Sequence, residues 1–134
     1  VNDKGGRVYT ARELRGLESA EQLAPVIDAV SARIGDTPCY LSLDIDCLDP
    51  AFAPGTGTPE PGGLSTNQVL TLLEAWSPKL NFVGMDCCEV APAYDHAELT
   101  SNVAAIFVWT YLCGRLLVGG SRLNVRLPQS PAIG

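Results

Sequence analysis

A chain of 134 residues with 46% hydrophobic content is long enough for one domain, or part of one, with a real core. Its net charge of −6 argues against nucleic acid or an anionic membrane as partner, and is compatible with a cationic small molecule. The five cysteines are odd in number and include no C-x-x-C, which indicates neither a disulfide framework nor a zinc knuckle.

Reduced thiols fit a cytoplasmic protein. No signal peptide is visible, and the longest apolar stretch, residues 103–113, is too short to span a bilayer. The chain begins at Val1 and its only methionine is Met85, so a processed chain, a truncation or a piece of something longer is expected.

In chain order, a helical turn is predicted near residues 10–17. Ser19 and Gln22 then have the form of a capping box, and Leu23, Val26, Ile27, Val30 and Ile34 recur behind it at helical spacing, with Pro25 early and Gly35 as the stop. Residues 39–45 read as an inner strand of a parallel sheet, apolar on both faces. A Gly- and Pro-rich loop covers 47–64. Ser65 and Gln68 open a second helix, with Leu64 and Val69 as a staple, and Val69, Leu70, Leu72, Leu73 and Trp76 form its buried stripe up to Pro78. A second strand is predicted over 81–90. Asp95 and Glu98 suggest a third capping box, opening a largely buried helix to about residue 113. Residues 114–134 have no sustained period and are read as an irregular tail.

The first strand ends in acids: Asp44, Asp46 and Asp49. Residues two apart on a strand share a face, so Asp44 and Asp46 are expected to point together at the strand's C-terminal end, where parallel α/β sheets bind ligands. Two carboxylates about 6 Å apart repel by roughly 3 kcal/mol at an effective dielectric near 20, and no Lys or Arg lies between Arg33 and Lys79 to offset that. A metal ion does so economically, and hard carboxylate oxygens suit Mg2+ or Mn2+. Asp49, before Pro50, reads more simply as a turn former.

An Asp-x-Asp after an apolar strand suits two families. The haloacid dehalogenase phosphatases want Thr or Val where this chain has Leu48, and need a downstream Lys and carboxylate pair that cannot be placed here. The stretch LSLDIDCLDPAFAPGTGTPEPGGLS (41–65), together with VGMDCCEVAPAYDHAELTS (83–101), instead resembles the signature blocks of the ureohydrolases, the arginases and agmatinases. The similarity covers about residues 20–113, and the AYD of the second block is closer to agmatinases.

The resemblance implies an α/β fold: a parallel-sheet, arginase-like three-layer α/β/α fold, of which residues 1–113 are the C-terminal portion. It implies hydrolysis of a guanidino carbon–nitrogen bond to urea and an amine, with two Mn2+ ions. Agmatine giving putrescine is the first expectation, with guanidinobutyrate, guanidinopropionate or arginine as other substrates. By the same resemblance Asp44 and Asp46 are metal ligands, Glu89 pairs with the guanidinium, and Thr58 lines the substrate pocket. Asp86 is expected to orient a metal-bound histidine. The only histidine, His96, follows the expected helix cap Asp95 and reads as a surface residue. Only two of the family's six usual metal ligands match, because its upstream histidine and its D-A-H-x-D block have no counterpart here. An isolated chain is therefore expected to be inactive, with the activity belonging to a longer parent that assembles as a trimer or hexamer. The rival expectation is a non-enzymatic remnant that acts only through association.

Overall fold

The structure, a computed structural model, describes residues 5–122, with side chains as far as Leu117. Four helices and two strands follow in order: α1 (Ala11–Leu14), α2 (Ala20–Ile34), β1 (Cys39–Asp44), α3 (Thr66–Trp76), β2 (Phe82–Cys88) and α4 (Leu99–Arg122). Local chemistry sets most of the boundaries. Full capping boxes open α2 at Ser19/Gln22 and α3 at Ser65/Gln68, as predicted, and Thr10/Glu13 forms another at α1. Gly35, at φ 55°, ends α2 with its N–H on the Ser31 carbonyl. Pro25 lies inside α2, deeper than the first turn where it is best tolerated, and costs that helix one backbone bond.

β1 and β2 pair in parallel, with Leu41 beside Met85, Ser42 beside Asp86, Leu43 beside Cys87 and Asp44 beside Cys88. Alternation sends Leu41, Leu43, Met85 and Cys87 into one core with Val69 and Leu73 of α3 and Ala104 and Phe107 of α4. A second cluster joins α1, α2 and α3 through Leu14, Leu23, Ile27 and Leu72. Phe107 is wholly buried, which contributes about 2–3 kcal/mol.

The apolar pattern predicts strands covered on both faces, but among the described residues the helices cover one. Tyr40, Ser42 and Asp86 lie on the other face and are exposed, Tyr40 by 57%. Likewise α4, expected to be largely buried, turns Ile106, Trp109, Leu112, Leu116 and Leu117 outward, with Trp109 66% exposed. An all-apolar helix buries only the faces that have a partner, and the described residues supply one side.

The helix also runs past Gly114, where the sequence pattern predicts an irregular tail, to Arg122. Residues 123–134 of that expected tail lie outside the described residues. Gly114 serves a close crossing rather than a stop: a Cβ there would lie 2.4 Å from the Ser77 Cβ at the end of α3. Gly114→Ala is therefore expected to lower stability by about 1–3 kcal/mol in urea unfolding, despite alanine's better helix propensity.

Candidate active site

The strand ends at Asp44, and Asp46 falls in a short 3-10 turn, Ile45–Cys47. Asp44 and Asp46 thus do not share a strand face as predicted. The Asp44 Oδ1 accepts the N–H of Asp46 at 3.1 Å, and this side-chain cap turns the chain before strand alternation can continue. Wholly buried Ile45 anchors the turn in the core, so both carboxyls stay at the C-terminal end of β1.

The loop that follows is closed at its base: Leu64 donates to the Cys47 carbonyl at 2.8 Å, and Asp49 donates to the Leu64 carbonyl at 2.9 Å. Asp49 is the turn former the sequence suggested. Its carboxylate accepts from the N–H groups of Ala51 at 2.8 Å and Gly62 at 2.7 Å, which hold its carboxyl below the usual range. From this loop Thr58 donates its hydroxyl to Asp46 Oδ2 at 2.6 Å. Thr56, 3% exposed, has a hydroxyl without a hydrogen-bond partner among the described residues.

β2 ends at Cys88, before the predicted residue 90, because Glu89 adopts φ 63°. A left-handed non-glycine residue of this size is uncommon and costs about 1–2 kcal/mol. Such strain persists where something other than local stability keeps the side chain. Its carboxylate reaches the loop: a Cβ on Gly57 would lie 4.0 Å from Glu89 Oε2. Glu89→Gly is expected to leave stability unchanged or raise it by up to about 1 kcal/mol in urea unfolding, glycine's entropy loss offsetting part of the relief. A loss beyond about 1 kcal/mol would show that the side chain serves the fold.

Asp86 sits three residues before Glu89 on the open sheet face, where its Oδ1 accepts the Ser42 hydroxyl at 2.8 Å. The thiols nearby are not thiolates at neutral pH. Burial pushes Cys47 up to about 11, with the charges of Asp44 and Asp46 adding to the effect. Burial also raises Cys88, followed by the charges of Asp44, Asp86 and Glu89. All five cysteines are free.

The capping box expected at Asp95 and Glu98 does not form. Ala97 and Glu98 are left-handed, at φ 51° and 59°, and α4 starts at Leu99. Asp95 instead reaches over them, accepting from the N–H groups of Thr100 at 3.0 Å and Ser101 at 2.9 Å. His96 is exposed, and its N–H donates to Asp95 at 2.9 Å.

Asp44, Asp46, Thr58 and Glu89 therefore gather at one sheet edge, with Asp86 beside them on the open face. The donors at Asp44 and Asp46 are of the right type for a hard divalent cation but too few. Among the described residues no three His, Cys, Asp or Glu side chains come together to hold one. An open groove of about 410 Å³ lies away from the acids, along α4, and is lined by Val90, Ala104, Trp109 and Leu112.

The arginase-family model matches residues 1–114. The chain belongs to the arginase family. An agmatinase of Photorhabdus laumondii is 50% identical over 103 residues, 77% of this chain and 32% of that protein, and one of Serratia proteamaculans is 48% identical over 104 residues. Solved structures agree. The proclavaminate amidino hydrolase of Streptomyces clavuligerus superposes with a TM-score of 0.72 at 42% identity, covering 90% of this chain and 37% of that one. The arginase of Bacillus caldovelox gives 0.69 at 30% identity, covering 87% and 36%. The fold is thus arginase-like α/β, and the family decides against the haloacid dehalogenase reading. The chain spans about a third of the length of its curated relatives, 32% in both agmatinases above. No helix among the described residues is long and apolar enough to cross a membrane.

The two sequence blocks that carry these four residues are tied together by Ser42 and Thr100, which sequence reading missed. Neither carries a motif of its own, since each partner lies more than forty residues away, 44 and 45 respectively.

Proposed function

We propose that these residues supply one part of a ureohydrolase active site that adds water to a guanidino carbon and releases urea and an amine. The observation that carries this reading is a single loop, residues 55–58, which bonds to Asp46 through Thr58 and lies against Glu89 through Gly57. The substrate we propose is agmatine, from the names of the relatives, with putrescine as the second product. A pair of Mn2+ ions, when bound, makes hydroxide available at neutral pH.

The chain's own residues have separate tasks in this reading. Asp44 and Asp46 offer carboxylate oxygens to the metal pair, and the remaining ligands come from beyond the described residues. Glu89 accepts the guanidinium N–H groups through charge-assisted bonds and so orients the carbon that water attacks. Thr58 holds the Asp46 carboxylate and borders the substrate. Asp86, already fixed by Ser42, orients a histidine ligand from elsewhere in the site. Assembly into trimers or hexamers and a cytoplasmic setting belong to the same proposal.

One observation favours a second reading, that of a non-enzymatic association piece: the described residues alone gather no complete ligand set. A chimaera separates the two. The 103 matched residues replace the corresponding part of the Photorhabdus laumondii agmatinase, and urea release from agmatine is measured with Mn2+. Release within about tenfold of that relative supports the enzyme reading. A folded chimaera that binds Mn2+ but releases no urea supports the association piece.

A further inference from the structure

We infer that Thr100 is a positioning residue, whose buried hydroxyl fixes the loop of Gly55 to Thr58 against Glu89. The inference builds on the reading of that loop as the substrate side of the site, but its test reads the loop itself.

Thr100 is 0% exposed, in the first turn of α4. A threonine there commonly bonds within its own turn. Here its Oγ1 accepts the N–H of Gly55 at 2.7 Å, from 45 residues upstream. The Gly55 carbonyl in turn accepts the N–H of Ala91 at 2.8 Å, two residues beyond Glu89. Both polar groups of one buried loop residue are therefore held by the later segment, one at the helix start and one beside the strand end.

Asp95 holds Thr100 in place. Its carboxylate accepts the N–H groups of Thr100 and Ser101 and also the Ser101 hydroxyl, at 3.0 Å. Burial pushes the Asp95 carboxyl up, but those bonds outweigh it and keep the group below the ordinary carboxylate range. Asp95 also forms the wall against which Gly55 packs. A Cβ on Gly55 would lie 2.6 Å from the Asp95 Cβ and 2.8 Å from its Cα, so only glycine lets the loop come this close. Thr58 follows three residues later with its hydroxyl on Asp46. A shift at Gly55 therefore moves Gly57 relative to Glu89 and Thr58 relative to Asp46 together.

The test is residue-resolved amide hydrogen exchange with amide chemical shifts, on the 134-residue chain, for wild type, Thr100→Val and Thr100→Ser. In wild type the Gly55 amide should exchange far more slowly than that of exposed Glu60. Thr100→Val should quicken exchange at Gly55 and Ala91 by about tenfold or more and move the amide shifts of Gly57, Thr58 and Glu89. Leu43 in β1 and Leu72 in α3 should hold their rates, and Thr100→Ser should restore the wild-type pattern. A Gly55 amide as fast as Glu60 in wild type overturns the inference even if Thr100→Val does not fold. Equal acceleration at every amide, or a serine variant that behaves like valine, also overturns it. Absence of urea release from the chimaera would count against the proposed function and leave this exchange pattern standing.

Discussion

In the chimaera, Glu89→Gln is expected to lower kcat/KM for agmatine by about a hundredfold while Mn2+ content stays unchanged. The isosteric amide keeps the shape and the left-handed backbone at φ 63°, so the fold is not the variable. What changes is the charge proposed to face the guanidinium. A hydrogen bond to a charged partner contributes about 1.5–3 kcal/mol, equivalent to roughly 10- to 150-fold. The amide also turns a donor toward the cationic substrate, which places the loss at the upper end. Steady-state urea release against agmatine concentration, with metal analysis on the same sample, reads both quantities. Unchanged kcat/KM would remove Glu89 from the substrate site.

Asp44→Ala is expected to act earlier and more strongly, with loss of bound Mn2+ and a fall in activity of at least ~10³-fold. Beside its proposed metal ligation, the Asp44 carboxylate caps the turn that carries Asp46. Asp44→Asn separates the two. An amide oxygen still accepts the Asp46 N–H, so stability should return close to wild type while metal affinity stays low. Recovery of both by asparagine would mean that the residue serves the turn alone.

How much of this was legible depended on the range of the interaction. The openings of α2 and α3 were readable because a Ser and a Gln three residues apart satisfy each other's backbone partners locally. The strands were readable as apolar runs. The shared face of Asp44 and Asp46 was misread because strand alternation was carried one turn too far, into a segment that the Asp44 carboxylate bends. Gly114 was misread as punctuation because its reason, the near contact with Ser77, lies 37 positions away in the chain. The covered strands and buried α4 were inferred from composition. Composition records what the chain can bury, whereas the partners available decide what it does bury.

The site was legible as two blocks of sequence but not as one assembly. Nothing local to Thr100 indicates that its hydroxyl bonds to Gly55, and nothing local to Glu89 indicates a positive φ in a residue that otherwise continues a strand.

Mn2+ titration calorimetry addresses the proposal that Asp44 and Asp46 belong to a metal pair completed from outside these residues. Three proteins are compared: the 134-residue chain, the chimaera, and the chimaera carrying Asp44→Ala. The chain alone is expected to show no saturable site, the chimaera to bind two ions, and the variant to lose at least one of them. Two ions bound tightly by the chain alone, or an Asp44→Ala chimaera that keeps both, would overturn the proposal.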